Sequence, residues 1–455
     1  MPEILLLLLF LSACTVGTDY QTPQIYGDEA IRKELQLGRQ YTLPEKWYHE
    51  LGDEQLSRLI DDGLQNSPNV KIAIARLKQA RAQLASDKVN DLPFVNLSGG
   101  WNYEKASSNI EYGTNSHYYN AGFDASWELD LWGKNRRQVE ADEAQVQALE
   151  YSLKDVKIAL AAEIAADYTS LFENRELLKT ARENVALQQK IFAAVEAKYQ
   201  SGLVDDIAYN QAKYLLAQTQ AQIPGYESNI ESYQNALATL VGVLPSETKT
   251  NESSPLFKHS YTINKKLVYG IPAATVRLRP DVAATERKLA AQSALISKAI
   301  AGLYPDVSIS GFWGYASKGG HSLFSSASQN YNYNPALALP LLDWNQLNNN
   351  IELQKQIYAE NLQQYKKALL NAVGEIKNAG IAWENFGKTL AKQREAEAGM
   401  RQVVNSMQKR YDRGLITFSE LLTMRQNLIK SQNQVIEAKG NEIRQLIAFY
   451  KAIGI

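Results

Sequence analysis

The residue types that usually carry chemistry are few in this chain and stand far apart. It has one cysteine, Cys14, and four histidines at distant positions: His49, His117, His259 and His321. These counts exclude a disulfide scaffold and a Cys/His zinc site. There is no Gly-rich phosphate loop and no Gly-x-Ser-x-Gly motif, and Gly319–Ser322 offers a histidine without a partner base. We therefore predict no catalytic residue, no metal ligand and no enzymatic activity.

Cys14 follows a segment that predicts covalent lipid attachment. Residues 4–11 form an apolar run that is too short to span a bilayer and suits the core of a signal peptide. The order Leu11-Ser12-Ala13-Cys14 is similar to a bacterial lipoprotein box, and Thr15 after the cysteine favours the outer membrane. We predict a signal peptide over residues 1–13 and a lipid on Cys14, with no other cofactor. The alternative is a buried strand that happens to contain a cysteine.

Composition and charge describe a folded protein without a strongly charged partner. Of 455 residues, 45% are hydrophobic, which is enough apolar surface for several domains. Lys and Arg number 48 against 49 Asp and Glu, so there is no cationic excess to neutralise a phosphate backbone, and we predict no nucleic-acid partner. No run of 18 apolar residues follows Cys14, so a mature chain that crosses a membrane would cross as β-strands.

A repeat at a fixed offset organises the chain. Prolines, glycines and aromatic residues recur 212 positions apart without a gap, as in Pro93 and Pro305, Trp101 and Trp313. The sequence predicts a lipid-anchored N-terminal segment over residues 14–65, a first repeat over 66–243, a connector over 244–277 and a second repeat over 278–455. The connector starts with many Pro, Ser, Thr and Asn residues, which is typical of irregular linkage.

Each repeat contains one long segment that predicts a very long helix. Residues 134–200 contain neither Gly nor Pro, and so long a helix is typical of a coiled coil or a stacked assembly. The matching residues 345–413 also lack proline but hold several glycines, so this helix should be more pliant. Each long helix ends at a turn with Gly202 or Gly414 and then reverses into a return helix, which Pro224-Gly225 should interrupt in the first repeat.

Four shorter segments alternate polar and apolar side chains with the period of a β-strand. They cover about residues 95–104, 119–131, 307–316 and 331–341, although Pro335 and Pro340 weaken the fourth. Their length and aromatic content suit strands that face lipid on one side and water on the other. The alternative is a pair of hairpins packed against soluble helices.

Four strands form an open sheet, and open sheet edges are not tolerated in hydrocarbon. Closure in a membrane therefore requires several copies of the chain. Two, three or four copies would each give an even number of antiparallel strands, so the strand count alone does not choose between them.

Several short motifs occur in a fixed order inside the doubled unit. They are Leu11–Cys14 followed by Val16–Tyr20, then Trp127–Lys134, Arg277–Asp281, Tyr304–Gly311, and the paired turns Tyr199–Gly202 and Tyr411–Gly414. In this order they resemble the TolC-like outer-membrane efflux proteins, and specifically their NodT-type lipoprotein branch. The resemblance covers essentially the whole mature chain.

This resemblance implies a mainly α fold with a small β part. Internally duplicated helix-hairpin-helix units would form a trimeric periplasmic α-barrel and a shared 12-stranded outer-membrane β-barrel, with four strands from each chain. It also implies a homotrimer anchored by lipid in the outer membrane and extending into the periplasm. The partners would be a periplasmic adaptor and an inner-membrane pump, commonly proton-driven, and the channel would be a passive exit duct for small molecules such as drugs or toxic compounds.

The resemblance further places a gate at the periplasmic turns. Glu420 matches one acidic ring position, Thr423 stands where some members have a second aspartate, and the aspartate expected after the first turn falls at Ala208. We expect a gate around the helix turns at Gly202 and Gly414, built from Tyr199, Asp205, Asp206, Arg410, Tyr411, Arg413 and Glu420, in which Asp206 pairs with Arg410 or Arg413. The alternative is that the three acidic residues are solvated turn or helix-start residues.

Two other functions remain open from the sequence. A protein-secretion conduit would use a similar duct, and a lipid-anchored coiled-coil structural protein would also use long Gly-free helices. The alternating segment 119–131 argues against the structural protein, because a fibre has no use for a lipid-facing strand.

Overall fold

The computed structural model describes residues 15–35, 46–105, 107, 109, 116–247, 250–258 and 273–454. The predicted signal peptide and Cys14 lie outside the described residues. The elements in chain order are α1 (Asp28–Leu35), α2 (Glu54–Asn66), α3 (Pro68–Val89), β1 (Phe94–Glu104), β2 (Ser116–Leu129), α4 (Lys134–Gln200), α5 (Asp206–Gln220), α6 (Ile223–Val241), α7 (Ala273–Leu278), α8 (Pro280–Ala301), β3 (Asp306–Ser317), β4 (Gln329–Ala338), α9 (Trp344–Asp412) and α10 (Phe418–Ile453). Short 3₁₀ helices cover Trp47–Leu51, Pro245–Glu247, Pro255–Phe257, Gly320–Ser322 and Ser326–Ser328.

The duplication predicted from the sequence is confirmed by the order of these elements. Helix α3 corresponds to α8, β1 and β2 to β3 and β4, and α4 to α9. Pro68 and Pro280 each begin a helix, where a missing N–H costs nothing. Gly242 and Gly454 end α6 and α10 in the left-handed conformation, with φ of 84° and 88°.

The long helices form at almost the predicted bounds, but the return helix of the first repeat breaks one turn earlier than Pro224 suggested. Helix α5 ends at Gln220, and Pro224 lies in the first turn of α6, where proline is tolerated. In the second repeat, α10 is continuous from Phe418 to Ile453. Within the described part of the chain, no helix combines the length and apolar character needed to cross a bilayer.

The four strands form one antiparallel sheet in the order β1-β2-β3-β4, so β1 and β4 are its edges. Strand β2 ends at Leu129, and the Asp130 carboxylate that follows accepts a hydrogen bond from the Arg136 N–H, in the first turn of α4, at 2.9 Å. Strand β4 stops before Pro340, while Pro335 is accommodated because β4 is an edge strand.

The chain divides into two compact units, and each collects segments from both repeats. Of the described residues, the first unit contains 15–24, 75–150 and 283–367, including the whole sheet. It has a small-residue cluster of Ala141, Ala144, Ala290, Ala291 and Ala294, against which Tyr20 packs.

The second unit takes the remaining described residues and contains the main apolar core. Trp47, from the first 3₁₀ helix, is 1% exposed and stacks on Tyr450 of α10 with ring centroids 5.0 Å apart. The predicted connector contributes to this core through Leu256, which is fully buried. Residues of both the segment before the first repeat and the connector therefore belong to this packed core.

Candidate functional site

The sheet register places the alternating apolar side chains of all four strands on one face. Leu97 lies opposite Phe123, Phe123 opposite Trp313, and Trp313 opposite Tyr331, which makes one apolar row across the sheet. This apolar face consists of Val95, Leu97, Trp101 and Tyr103 of β1, Tyr119, Phe123, Trp127 and Leu129 of β2, Val307, Ile309, Trp313 and Tyr315 of β3, and Tyr331, Tyr333, Pro335 and Leu337 of β4. Many of these side chains are exposed, up to 78% for Tyr333. A continuous exposed apolar surface of this kind fits lipid and not water.

The opposite face of the same sheet is polar. It carries Asn96, Ser98, Asn102, Glu104, Asn120, Asp124, Ser126, Glu128, Asp306, Ser308, Ser310, Asn330, Asn332 and Asn334. Asn102 donates a hydrogen bond from Nδ2 to Oδ1 of Asn120 at 2.8 Å, so neighbouring strands are also linked through their side chains. A surface of amides, hydroxyls and carboxylates suits contact with water.

Three aromatic side chains are exceptions on this polar face: Phe94 and Tyr118, which lie near the ends of β1 and β2, and Phe312. The Phe312 ring lies over Gly122 and Gly314, where an added Cβ would come within 2.6 Å and 2.8 Å of the ring. The two glycines therefore make room for an aromatic side chain that the simple alternation did not predict.

An aromatic pair and an ion-pair group mark the junction between the strands and the helices. Trp132 stacks on Tyr304 at 4.9 Å and donates a hydrogen bond from Nε1 to the Pro305 carbonyl at 2.8 Å. Lys134 contacts both Glu128 and Asp306 at 3.3 Å. Burial opposes the charge of Lys134, but the two carboxylates outweigh it and raise its pKa above the usual value.

The residues that follow Cys14 are fixed beside this junction. The Val16 N–H donates to the Trp132 carbonyl at 3.0 Å. Arg137, only 5% exposed, donates to the Val16 carbonyl, to Asp19 at 3.0 Å and to Glu140 at 2.6 Å. Further along, Tyr20 and Thr22 both donate to Glu286, at 2.7 Å and 2.9 Å. The sequence pointed to Cys14 but gave no sign that Arg137 holds the segment after it.

The two helical turns expected to form a gate share one backbone geometry. Gly202 and Gly414 adopt φ of 70° and 72°. After the first turn, Asp205 caps α5 by accepting the Ala208 N–H at 2.9 Å. After the second turn, Thr417 and Glu420 form a capping box: the Thr417 N–H donates to Glu420 at 2.7 Å and the Glu420 N–H donates to Thr417 at 3.3 Å.

Within one chain, the capping box is the main influence on the pKa of Glu420. Hydrogen bonds from the backbone and the hydroxyl of Thr417 hold the pKa of Glu420 below its usual value, and Arg410 adds to this effect. Glu420 and Asp205 are helix-start residues in the single chain. A ring that several copies would form depends on contacts between chains.

The expected pairing of Asp206 is not made inside the chain. Among the described residues, the intrachain ion pairs do not include Asp206, Arg410 or Arg413, and all three side chains are exposed. The tyrosines do pack at the turns. Tyr199 stacks on Tyr209 at 4.9 Å, Tyr411 lies 5.6 Å from Phe418, and Lys198 lies over the Tyr411 ring at 5.4 Å.

Arg425 is a residue near the second turn that the sequence reasoning missed. It donates a hydrogen bond to Gln408 at 2.6 Å and thereby links α10 to α9, while burial lowers its pKa. A signal was present, because Phe418, Leu421, Leu422 and Arg425 have the i, i+3, i+4, i+7 spacing of one helix face. A cationic side chain on that otherwise apolar helix face indicates a specific hydrogen-bond acceptor elsewhere in the chain.

Comparison with known proteins identifies the family to which a chain with this two-faced sheet and duplicated helical unit belongs. The family described as Outer membrane efflux protein matches residues 59–243 and 273–455. The chain belongs to the outer membrane efflux protein family. It is therefore an efflux channel of the bacterial outer membrane, and members of this family are passive channels and not enzymes.

Individual relatives of this efflux channel agree over nearly its full length. The solvent efflux pump outer membrane protein SrpC of Pseudomonas putida is 26% identical over 98% of this chain and 96% of its own length. Nodulation protein T of Rhizobium leguminosarum bv. trifolii is 25% identical over 94% of this chain and 92% of its own. The solved outer-membrane channel OprN matches with a TM-score of 0.88 and 28% identity, covering 97% of this chain and 99% of OprN. The predicted family is confirmed.

Proposed function

We propose that three copies of this chain form the exit duct of a tripartite efflux system. One β-barrel of 12 strands, four from each chain, would cross the outer membrane. The long helices of the three copies would together line a periplasmic channel. Substrate choice and energy would reside in an inner-membrane pump, joined to the duct by a periplasmic adaptor.

The observation that carries this proposal is the combination of two different faces with two open edges in one sheet. The apolar face fits hydrocarbon and the polar face fits a water-filled lumen. Strands β1 and β4 are edges of the sheet, and an edge inside a membrane must be paired. Pairing β4 of one copy with β1 of the next continues the antiparallel alternation and closes the barrel.

The helical turns supply a surface for the adaptor. Leu203 and Leu415, each directly after a left-handed glycine, are 74% and 63% exposed. Because both repeats present the same apolar residue at the same position, three chains would present six such contacts in a ring. An adaptor with apolar helix tips would bury them.

The lipid on Cys14 would hold the duct in place from the periplasmic side of the barrel. Val16 and Asp19 lie at the strand–helix junction through Trp132 and Arg137, so the acyl chains would leave the protein beside the Trp132–Tyr304 pair. Aromatic residues of this kind favour the membrane interface.

Small apolar or amphipathic molecules are the substrates that we propose, in line with the solvent named for SrpC. Protein secretion is the second candidate function. The similarity to an efflux protein over nearly the whole chain favours small molecules over proteins as the substrate. Deleting the gene and measuring accumulation of dyes, organic solvents and metal ions would identify the exported class. Unchanged accumulation of all three with a defect in a secreted protein would favour the second candidate.

Two neighbouring substitutions would test the assignment of the sheet faces. Leu97→Asp places a charge on the apolar face, where it is unfavourable in hydrocarbon although less costly than the about 2–4 kcal/mol of Arg or Lys at the bilayer midplane, and should abolish complementation of the deletion. Asn96→Asp places the same charge on the polar face and should leave export intact. Equal effects of the two variants would refute the proposal that the apolar face contacts lipid.

A further inference from the structure

The loop between β3 and β4 has a defined conformation. It contains the 3₁₀ turns Gly320–Ser322 and Ser326–Ser328, and serine side chains hold it together. The hydroxyls of Ser317 and Ser322 lie 2.7 Å apart, and the Ser328 hydroxyl donates to the Ser322 carbonyl at 2.7 Å. Because Ser328 is only 9% exposed, this network lies inside the loop. The loop therefore has a defined shape without any partner.

This defined loop presents one large apolar side chain to its surroundings. Phe324 is 72% exposed, and its ring packs edge-on against Tyr315 with centroids 5.6 Å apart. Tyr315 lies on the apolar face, opposite Ala121 on one side and Gln329 on the other. Phe324 therefore continues the apolar face beyond the end of the paired strands. The exposed Lys318 and His321 on the same loop keep the rest of its surface polar.

We propose that Phe324 inserts into the outer leaflet at the boundary between headgroups and acyl chains. The occupant of this surface is the edge of the hydrocarbon layer, because the Phe324 ring is continuous through Tyr315 with the face that the proposed function places against lipid. Aromatic side chains are enriched at this depth in membrane proteins. The loop of residues 318–328 then rests on the membrane surface. This inference rests on the proposed function, since it requires the sheet to span the outer membrane.

Site-specific fluorescence in the reconstituted full-length assembly would test the inference. In a Cys14→Ser background, Phe324→Cys would be labelled with a polarity-sensitive dye and compared with Ser326→Cys, which is exposed on the same loop. We expect quenching by nitroxide-labelled acyl chains to be several-fold stronger at position 324 than at 326, and quenching by external iodide to be several-fold weaker. Iodide quenching at 324 equal to that at 326 would overturn the inference.

A third label separates this inference from the proposed function. Tyr331→Cys lies on the apolar face of β4, where the proposed function requires lipid contact. If the label at 331 is quenched by lipid nitroxide and the label at 324 is not, only the inference about the loop fails. If the label at 331 is quenched by iodide, the sheet does not face lipid, and both fail.

Discussion

Gly202 and Gly414 lie 212 residues apart and end the two longest helices in the same left-handed conformation, with φ of 70° and 72°. The residue after each glycine closes the turn in the same way. Leu203 N–H donates to the Lys198 carbonyl at 2.8 Å, and Leu415 N–H donates to the Arg410 carbonyl at 2.9 Å. The two hairpin tips are therefore copies of one turn, and six of them would line the periplasmic end of a trimer.

Replacing either glycine by alanine should destabilise its turn by a similar amount. A Cβ at Gly202 or Gly414 meets no atom within 4 Å, so the cost is conformational only, about 1–2 kcal/mol. The measurement is the free energy of unfolding by denaturant titration. Gly374→Ala is the control: this glycine lies inside α9 with open space around it, and the substitution should stabilise by about 0.5–1 kcal/mol. Loss of stability in all three variants would contradict the interpretation.

Asp167 should make stability depend on pH in a defined direction. Burial, together with the nearby charge of Glu163, raises the pKa of Asp167 to about 6. An acid whose pKa is raised on folding favours the folded state at low pH and loses this contribution as pH rises from about 4 to 6. Asp167→Asn should therefore stabilise the protein by about 1–2 kcal/mol at pH 7.5, after allowing for solvent screening of a half-buried group, and by almost nothing at pH 4.

Thermal unfolding at the two pH values would measure this difference. Glu163→Gln removes only the neighbouring charge and should give a smaller gain at pH 7.5. A gain from Asp167→Asn that is the same at both pH values would show that the charge of Asp167 is not the cause.

Arg279 should be a sensitive cation of the second unit. It is 6% exposed and donates to both carboxylate oxygens of Asp281, to Glu375 at 2.7 Å and to the Ala452 carbonyl at 2.6 Å. Arg279→Met should cost about 2–3 kcal/mol, because it leaves these partly exposed acceptors without their donor. Arg279→Lys keeps the charge but loses the paired geometry, and should cost about 1 kcal/mol.

Denaturant titration against Lys392→Met would check the Arg279 prediction. The side chain of Lys392 is 80% exposed and contacts Glu395, so its loss should change stability by less than about 0.5 kcal/mol. Similar losses for Arg279→Met and Lys392→Met would contradict the importance given to burial.

One substitution can separate the capping role of Glu420 from its expected role in an acidic ring. In the single chain Glu420 completes the capping box with Thr417, and a glutamine at this position preserves that box while removing the charge. If three Glu420 side chains form an acidic ring in the assembly, Glu420→Gln should weaken the preference for cations in single-channel recordings. Glu420→Ala should weaken it too and also loosen the start of α10. An unchanged cation preference in both variants would leave Glu420 with its capping role alone.

Much of the fold was predictable because its determinants are local. The offset of 212 residues, the Gly-free run of α4 and the alternation in β2 are periodic patterns, and periodicity follows directly from helix and strand geometry. The observed ends of strands and helices differ from the predicted ends at positions where one side chain determines the local structure. Asp130 lies outside β2 and accepts a hydrogen bond from the first turn of α4, and Pro224 lies in the first turn of α6.

The candidate site was less predictable because its contacts join residues distant in sequence. Nothing local in the sequence reveals that Arg137 contacts Asp19, or that Arg425 contacts Gln408 across a hairpin. The expected pairing of Asp206 with Arg410 or Arg413 stays a prediction for contacts between chains, because the side-chain positions of neighbouring copies decide it. Capping, by contrast, follows from sequence order, and the alternative role given to Asp205 and Glu420 as helix-start residues is what the single chain shows.

In the proposed trimer, one chain supplies only a third of the channel wall. The most direct measurement is native mass spectrometry of the detergent-extracted protein, combined with conductance of the same sample in planar lipid bilayers. We predict a mass of three chains and discrete conductance steps. A mass of one lipid-bearing chain, with no conductance, would contradict a trimeric channel.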